Sequence, residues 1–216
     1  NQPIVIFAHG FKGFKDWGIW ELLAGAFTHA GYAFLKFNFS HNGTTPESPS
    51  AFGDLEAFGR NTFSRELADL EAVLDWVEQA RAAPGLRIDP ERLALIGHSR
   101  GGPIALLQGL RDERVKAVIT WASVSRLDYA WQDEALIRDW REKGVHHITN
   151  ALTGQDMPLY FSLYEDFDRH RDEFDIEKAL SENEVPLLIV HGDSDPAVPA
   201  DHARDLHRWA PWSQLA

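Results

Sequence analysis

The pentapeptide at positions 97–101, Gly-His-Ser-Arg-Gly, places a serine where it could act as a nucleophile. It stands between an apolar run typical of a buried strand and a stretch that favours a helix. At such a turn the serine side chain is exposed, and its neighbours must lack side chains so that strand and helix can approach. Gly97 and Gly101 meet that need, with Gly102 as a spare. We predict Ser99 as a nucleophile, against an ordinary strand-to-helix loop that contains a serine.

A second informative segment, at positions 191–199, reads His-Gly-Asp-Ser-Asp-Pro-Ala-Val-Pro and follows another apolar run. A serine hydroxyl is a poor nucleophile at neutral pH, so it needs a base and a carboxylate that orients that base. Asp193 and Asp195 both lie just past the predicted strand, so either could supply the carboxylate.

Apolar runs and helical stretches alternate along the chain, which predicts a doubly wound, mostly parallel α/β sheet. The predicted strands are Ile4–Ala8, Ala33–Phe39, Leu93–Ile96, Val115–Trp121 and Leu187–Val190. The predicted helices are Trp20–Ala30, a helix that begins at Ser64 and ends before Pro84, Pro103–Leu110 and Ala200–Trp209. Carboxyl ends of parallel strands meet at one edge, where loops carry function.

Residues 125–184 interrupt this alternation, because they separate two strands that a single helix could connect. We expect a small helical, cap-like insertion before the acid-bearing strand, while residues 1–124 and 185–216 form the core. The insertion is rich in aromatic residues: Trp131, Trp140, Tyr160, Phe161, Tyr164, Phe167 and Phe174. These residues either line an apolar acyl or aryl pocket or form the insertion's own small core.

The composition narrows the partners that the chain could have. Its formal charge of -12 argues against nucleic acid, which binds clustered Lys and Arg. The absence of cysteine excludes disulfides and thiol chemistry. No apolar stretch approaches the roughly 20 residues that span a bilayer, so we expect a soluble protein with no membrane partner. The expected location is the cytoplasm, with secretion as the alternative. The sequence does not indicate an oligomeric state.

No cofactor or metal is predicted. The chain contains neither a phosphate-binding loop of the Walker type nor a Gly-x-Gly-x-x-Gly turn. His146 and His147 are adjacent in a predicted helix, where their side chains would diverge by about 100 degrees, and no third ligand follows at a suitable spacing. We interpret one further cluster as a solvated helix face or loop: Asp166, Asp168, His170, Arg171 and Asp172.

The chain has a His-Gly turn at His9, then the pentapeptide at positions 97–101, called the elbow below, and then the segment at positions 191–199, called the acid loop. The order of these three motifs resembles that of the α/β-hydrolase fold. The resemblance covers essentially the whole chain. It is strongest to small bacterial carboxylesterases of the feruloyl and cinnamoyl esterase group, related to dienelactone hydrolase, and to the catalytic domain of prolyl oligopeptidases.

The resemblance implies roles for particular residues. Ser99 would be the nucleophile and Asp195, rather than Asp193, the acid, while Asp193 would hold the turn by bonding backbone amides. The backbone N–H groups of Phe11 and Arg100 would form the oxyanion hole, with no role for their side chains. His9 and His98 would be structural, each bonding backbone near the sheet edge.

The chain departs from the family's pattern at the base, which normally follows a further strand beyond the acid. Only His202 and His207 follow Asp195, and we interpret both as surface residues of a helix. We expect the chain to be a piece of a longer protein whose base histidine lies beyond Ala216. No histidine would then bridge Ser99 and Asp195.

The expected function is that of a serine hydrolase that cleaves small or medium acyl or aryl esters through an acyl-enzyme. Its partner would be a small-molecule ester. One alternative is a peptidase of the prolyl oligopeptidase type. The other is a non-catalytic binding protein that has kept the fold and lost the base.

Overall fold

Strands and helices alternate through the chain as predicted. The computed structural model describes residues 1–151 and 153–216, and the elements below are those of the described residues. The strands are β1 (Gln2–Ala8), β2 (Ala33–Lys36), β3 (Ile88–His98), β4 (Val115–Trp121), β5 (Val145–Thr149), β6 (Asp156–Tyr160), β7 (Leu187–Val190) and β8 (Gln214–Leu215). The helices are α1 (Trp20–His29), α2 (Leu55–Gly59), α3 (Phe63–Ala80), α4 (Gly101–Arg111), α5 (Glu134–Lys143), α6 (Ser162–Arg169), α7 (Ile176–Glu182) and α8 (Asp201–Trp209).

Six of the strands form one sheet in the order β2-β1-β3-β4-β7-β8, and every pairing in it is parallel. The predicted α/β class with a doubly wound parallel sheet is therefore confirmed. β4 and β7 have the predicted bounds. β2 is shorter than predicted and ends at Lys36 instead of Phe39, whereas β3 is longer and begins at Ile88.

Both faces of the sheet are covered, as parallel sheets require. Ile6 and Phe7 are neighbours in β1 and are both fully buried, although their side chains point to opposite faces. Ile6 belongs to the larger apolar cluster, which contains residues of α3 and α4. Phe7 belongs to a smaller cluster with Trp20 of α1. This two-sided burial is why β1 consists of a continuous apolar run.

The strand order reverses between β1 and β3. β1 connects to β2 on one side, and β3 connects to β4 on the other. The loops that follow β1 and β3 therefore diverge and open a crevice at the carboxyl edge, the usual ligand site of such sheets. One loop begins at His9 and the other at Ser99, so the topology brings the first two sequence motifs together.

α3 receives part of its N-terminal capping from a distant segment. Thr62 Oγ1 accepts a hydrogen bond from Arg65 N, as a local N-cap does. Asp166 of α6 accepts two more, from Ser64 N at 3.0 Å and from Ser64 Oγ at 2.6 Å. Asp166 is buried, so the prediction of a solvated charge cluster is wrong at this position. Its carboxylate satisfies an amide that α3 leaves free.

Between β4 and β7, residues 125–184 contain helices α5, α6 and α7 and the antiparallel pair β5-β6. His146 and His147 lie in β5, so the helix predicted there is wrong. Adjacent side chains in a strand point to opposite faces, which also separates the two rings. The described residues contain no cluster of His, Cys, Asp and Glu that could hold a metal ion.

The described helices are short or polar relative to a membrane-spanning helix. None of those in residues 1–151 and 153–216 is both long enough and apolar enough to cross a membrane.

Candidate active site

Ser99 occupies a strained backbone position directly after β3. Its φ is +53°, in the left-handed region that non-glycine residues rarely adopt. Ser99 N donates to Trp121 O at 3.0 Å, and Ser99 O accepts from Gly102 N at 3.0 Å. These two hydrogen bonds tie the turn to the end of β4 and to the first turn of α4. The surroundings thus hold Ser99 in a conformation typical of functional sites.

The glycines around Ser99 are required by close backbone packing. A Cβ atom on Gly97 would lie 2.2 Å from Gly101 O, and one on Gly101 would lie 2.4 Å from Ala8 O. One on Gly102 would lie 2.0 Å from Ser123 Oγ. All three distances are far inside van der Waals contact. Gly102, interpreted from the sequence as a spare, therefore also lies in close contact, with a side chain rather than with backbone.

The loop after β1 lies directly against the nucleophile. A Cβ atom on Gly10 would lie 2.9 Å from Ser99 Cβ, so the two turns touch. Within the described chain, neither Phe11 N nor Arg100 N donates a backbone hydrogen bond. Arg100 is the N-cap of α4, and the N–H groups at the start of a helix have no partner within it. N–H groups without a partner can donate to an oxyanion.

His9 anchors this loop. Its Nδ1 donates to Gly10 O at 2.9 Å, while its Nε2 accepts from Phe39 N and from Asn42 Nδ2, each at 3.4 Å. These bonds require a neutral ring. Burial lowers the pKa of His9 to about 4, which keeps the ring neutral at physiological pH. The predicted structural role, with bonds to backbone, is confirmed.

His98 is held by ring packing. Its ring lies against Trp20, with centroids 4.8 Å apart, and forms no hydrogen bond in the described part of the chain. The predicted bond from His98 to backbone is therefore wrong. Burial lowers the pKa of His98 to about 4 as well.

The lowered pKa values of His9 and His98 predict that the free energy of unfolding depends on pH. Their folded-state pKa values of about 4 lie below the ordinary 6.5, so the unfolded chain binds more protons between these values. The free energy of unfolding should rise with pH across that window, by at most about 1.4 kcal/mol per pH unit for each ring. It should level off above 6.5. Guanidinium denaturation at several pH values would measure the slope.

Two variants distinguish the contribution of His9 from that of other titrating groups. His9→Gln should flatten the slope, whereas His147→Gln, at an exposed strand position, should leave it unchanged. Carboxylates with lowered pKa values act mainly below about pH 4, so the measurement should begin above that value. A free energy of unfolding that is independent of pH between 4.5 and 6.5 would contradict the prediction.

The acid loop after β7 is organised by Asp195. Asp195 Oδ1 accepts from Ala197 N at 2.8 Å and from Val198 N at 3.0 Å. Partial burial alone would raise the pKa of Asp195, but the hydrogen bonds from Val198 and Ala197 outweigh it and lower the pKa. Asp193 is exposed and accepts from Ser194 Oγ. The backbone bonding predicted for Asp193 therefore belongs to Asp195.

Asp195 also lies near the elbow. It interacts electrostatically with His98, the residue that precedes Ser99. In residues 1–151 and 153–216, Asp195 Oδ2 has no hydrogen-bond partner, and a histidine Nδ1–H could bind there. The acid loop thus supplies an ionised carboxylate with one oxygen available.

No described histidine hydrogen-bonds to Ser99 Oγ or to the Asp195 carboxylate. His202 Nδ1 accepts from Ser125 N at 3.1 Å and contacts Ser125 Oγ at 2.9 Å. His207 Nδ1 is bonded to Ser213 Oγ at 2.8 Å. Both residues lie on α8 and are partly exposed, and neither bridges Ser99 and Asp195, as predicted. The two rings are hydrogen-bonded to Ser125 and Ser213 instead.

An apolar cavity of about 120 Å³ lies beside the elbow. Phe11 and Arg100 line one side, and Tyr129, Trp131 and Trp140 of the segment between β4 and β7 line another. Of the two alternatives left open by the sequence, a separate small core for residues 125–184 is wrong, because their buried aromatic residues belong to the main core. Some of the aromatic residues line a pocket, whereas Phe167 and Phe174 pack against Phe63 in the main core. A larger cavity, of about 220 Å³, contains no residue of the elbow or the acid loop.

Comparison with protein families identifies the chain. The model of the prolyl oligopeptidase family, Peptidase_S9, matches residues 27–208. The chain belongs to the prolyl oligopeptidase family. Membership in this hydrolase family of the α/β-hydrolase superfamily accounts for the strand order and the elbow, and it confirms the resemblance inferred from the motifs.

Individual relatives of this prolyl oligopeptidase family member are distant. The chain is 29% identical over 121 residues to the 31.7 kDa protein in the traX-finO intergenic region of Escherichia coli. That match covers 56% of this chain and 37% of the relative, so the chain spans well under half of that protein's length.

Two solved structures share the fold. Est1E from Butyrivibrio proteoclasticus, solved with ferulic acid bound, superposes with a TM-score of 0.68 at 21% identity, over 99% of this chain and 78% of that one. A puromycin-hydrolysing peptidase from Mycobacterium tuberculosis superposes with a TM-score of 0.66 at 20% identity, over 100% of this chain and 30% of that one.

Proposed function

We propose that the protein is a serine hydrolase that cleaves carboxylic esters through an acyl-enzyme. The observation that carries this proposal is the strained Ser99, with the free N–H groups of Phe11 and Arg100 beside it. Because these donors are fixed before substrate arrives, they can stabilise charge that develops only during the reaction.

The reaction has two stages. Ser99 Oγ attacks the carbonyl carbon while a histidine takes the hydroxyl proton, and the carbonyl oxygen becomes an oxyanion. The N–H groups of Phe11 and Arg100 stabilise that oxyanion, by about 3 to 4 kcal/mol for each donor. The C–O bond to the alcohol then breaks, and the histidine returns its proton to the departing oxygen. A water molecule, deprotonated by the same base, then attacks the acyl carbon. The bond to Ser99 Oγ breaks, and the histidine returns the proton to Ser99 Oγ as the acid leaves.

Asp195 orients the base in this mechanism. Its free Oδ2 would accept the Nδ1–H of the imidazole and stabilise the cation that forms. The described histidines are bonded elsewhere or do not contact Ser99 and Asp195, so we assign the base to a histidine outside residues 1–216.

The cavity supports an apolar acyl or aryl group as the part of the substrate that is bound. Its lining is mainly aromatic and aliphatic, and Arg100 is the charged side chain among the residues that form it. A cavity of about 120 Å³ suits a small or medium group. A small-molecule ester therefore fits the site better than a long chain.

A peptidase of aminoacyl amides is the second candidate, favoured by the family match. Recognition of a free α-ammonium requires a carboxylate near the nucleophile. None of the described residues that line the cavity is Asp or Glu, and the nearby Glu66 is already paired with Arg100. This composition favours an ester over an aminoacyl amide.

Labelling of the full-length protein with a fluorophosphonate probe, followed by peptide mapping, tests the proposal. Label confined to Ser99, and absent from Ser99→Ala, would support it. Ser125→Ala is the matched control, because Ser125 is a second serine hydrogen-bonded to a histidine and should not affect labelling. A folded protein that takes no label would contradict the proposal and favour a binding protein. Hydrolysis of p-nitrophenyl esters but not aminoacyl p-nitroanilides would exclude the peptidase.

The cavity can be tested through Tyr129, which lines it and is 38% exposed. Tyr129→Ala should raise KM for an aryl ester by roughly 5- to 10-fold with little change in kcat, because binding area is lost while the catalytic groups stay in place. Steady-state kinetics would measure both constants. Tyr32→Ala is the matched control, with the same 38% exposure outside the cavity. An equal effect of both substitutions would contradict the assignment.

A further inference from the structure

Arg100, one of the two residues with a free N–H group, forms a buried ion pair with Glu66. Arg100 Nη2 donates to Glu66 Oε1 at 2.6 Å, and Asn61 Nδ2 donates to the same oxygen at 2.7 Å. Arg100 is 8% exposed and Glu66 is 3% exposed. Burial of two charges requires several kcal/mol of desolvation, so such a pair is often no more stable than apolar residues of similar size. Its position beside Ser99 suggests a role other than fold stability.

The Arg100 guanidinium also contacts the other half of the oxyanion site. It stacks on the Phe11 ring, 4.1 Å from the ring centroid, and lies 5.7 Å from the Phe63 centroid. Phe11 in turn stacks on Phe58, with centroids 5.6 Å apart. The side chains of the two residues with free N–H groups are therefore in contact.

The Phe11 turn needs such support. Lys12, the next residue, has a φ of +54°, which the surrounding structure must maintain. Gly13 N donates to Gly10 O and closes the turn, and His9 fixes its beginning. The Arg100 guanidinium contacts this turn at the Phe11 ring.

We propose that Arg100 and Glu66 are positioning residues, which hold the Phe11 ring so that the two N–H groups stay at the spacing that an oxyanion requires. The inference rests on the proposed function and assigns to the side chains a role that the family resemblance does not. Displacement of a catalytic group by about 1 Å can lower the rate by about 100-fold. Loss of the stack, with the amide itself retained, should have a smaller effect.

The test uses the full-length protein and the variants Arg100→Met, Glu66→Gln and Phe11→Ala, none of which removes a backbone donor. Each should lower kcat for a p-nitrophenyl ester by roughly 10- to 50-fold. Glu66→Gln, which lies outside the cavity lining, should change KM by less than about threefold, whereas Phe11→Ala and Arg100→Met should also raise KM because both side chains line the cavity. The inhibition constant of a trifluoromethyl ketone, whose adduct with serine carries an oxyanion, should rise in parallel with the loss of kcat.

A double variant tests whether the residues act together. If Arg100 acts through the Phe11 ring, Phe11→Ala combined with Arg100→Met should lose no more kcat than either change alone. Arg114→Met is the matched control. Arg114 forms ion pairs with Asp75 and Asp112, so its loss removes an arginine ion pair without contact with the elbow.

The outcomes separate this inference from the proposed function. A wild-type protein that neither labels nor hydrolyses esters would contradict both. An active wild type whose folded variants retain kcat within about twofold, or lose kcat no more than Arg114→Met, would overturn the positioning role alone. If Arg100→Met does not fold, Glu66→Gln and Phe11→Ala decide the question by the same ratios.

Discussion

Asp195→Asn is expected to lower kcat for ester hydrolysis by about 10⁴-fold, because an amide cannot stabilise the imidazolium and favours the wrong tautomer. The substitution is nearly isosteric. Asn Oδ1 can still accept from Ala197 N and Val198 N, so the acid loop should keep its conformation. Steady-state kinetics of the full-length protein, with circular dichroism to verify folding, would measure the loss.

Asp193→Asn is the matched control, two residues away in the same loop. Asp193 is exposed and accepts a hydrogen bond from Ser194 Oγ, so its replacement should change kcat by less than about threefold. If Asp193→Asn abolishes activity and Asp195→Asn does not, the acid is Asp193. Equal small effects would contradict a mechanism that depends on either carboxylate.

The sheet could be predicted because buried parallel strands are encoded locally. Val115–Trp121 and Leu187–Val190 coincide with β4 and β7, since each apolar run ends where the backbone leaves the sheet. β2 ends earlier than its apolar run. Phe37 and Phe39 continue the run as core residues, but they lie in a loop beyond the last pair with β1. An apolar run indicates that a segment is buried, but it does not distinguish a buried strand from a buried loop.

Contacts between distant segments could not be predicted. The charges around Asp166 indicated a solvated face, yet its carboxylate caps a helix that begins at Phe63. Nothing in the local pattern shows that an unpaired amide from another part of the chain will lie there. His146 and His147 were assigned to a helix for the same reason, because pairing with β6 decides their conformation.

The candidate site also has one part that the sequence predicts and another that it does not. Ser99 and its glycines are a local motif, and the structure shows the strained turn that the motif predicts. The role of Arg100 beyond its amide was not predicted, because its stack on Phe11 and its bond to Glu66 join three separate segments. Sequence patterns identify the residues of a turn but not the side chains that pack beneath it.

Gly97→Ala is expected to destabilise the fold by roughly 3 to 5 kcal/mol, through strain at the elbow. The added Cβ would lie 2.2 Å from Gly101 O and 2.6 Å from Gly102 Cα. These are backbone atoms, so no rotamer change can relieve the overlap, and β3 and α4 must separate. Guanidinium denaturation would measure the free energy of unfolding, and fluorophosphonate labelling should be lost with the displaced Ser99.

Gly25→Ala provides the matched control for this prediction. Gly25 lies within α1, and a Cβ added there would meet no atom within 4 Å. Since alanine favours helices over glycine by about 1 kcal/mol, this variant should be as stable as the wild type or more so. The two substitutions add the same methyl group and differ only in their surroundings. A Gly97→Ala protein that keeps both its stability and its labelling would show that β3 and α4 do not need this close approach to present Ser99.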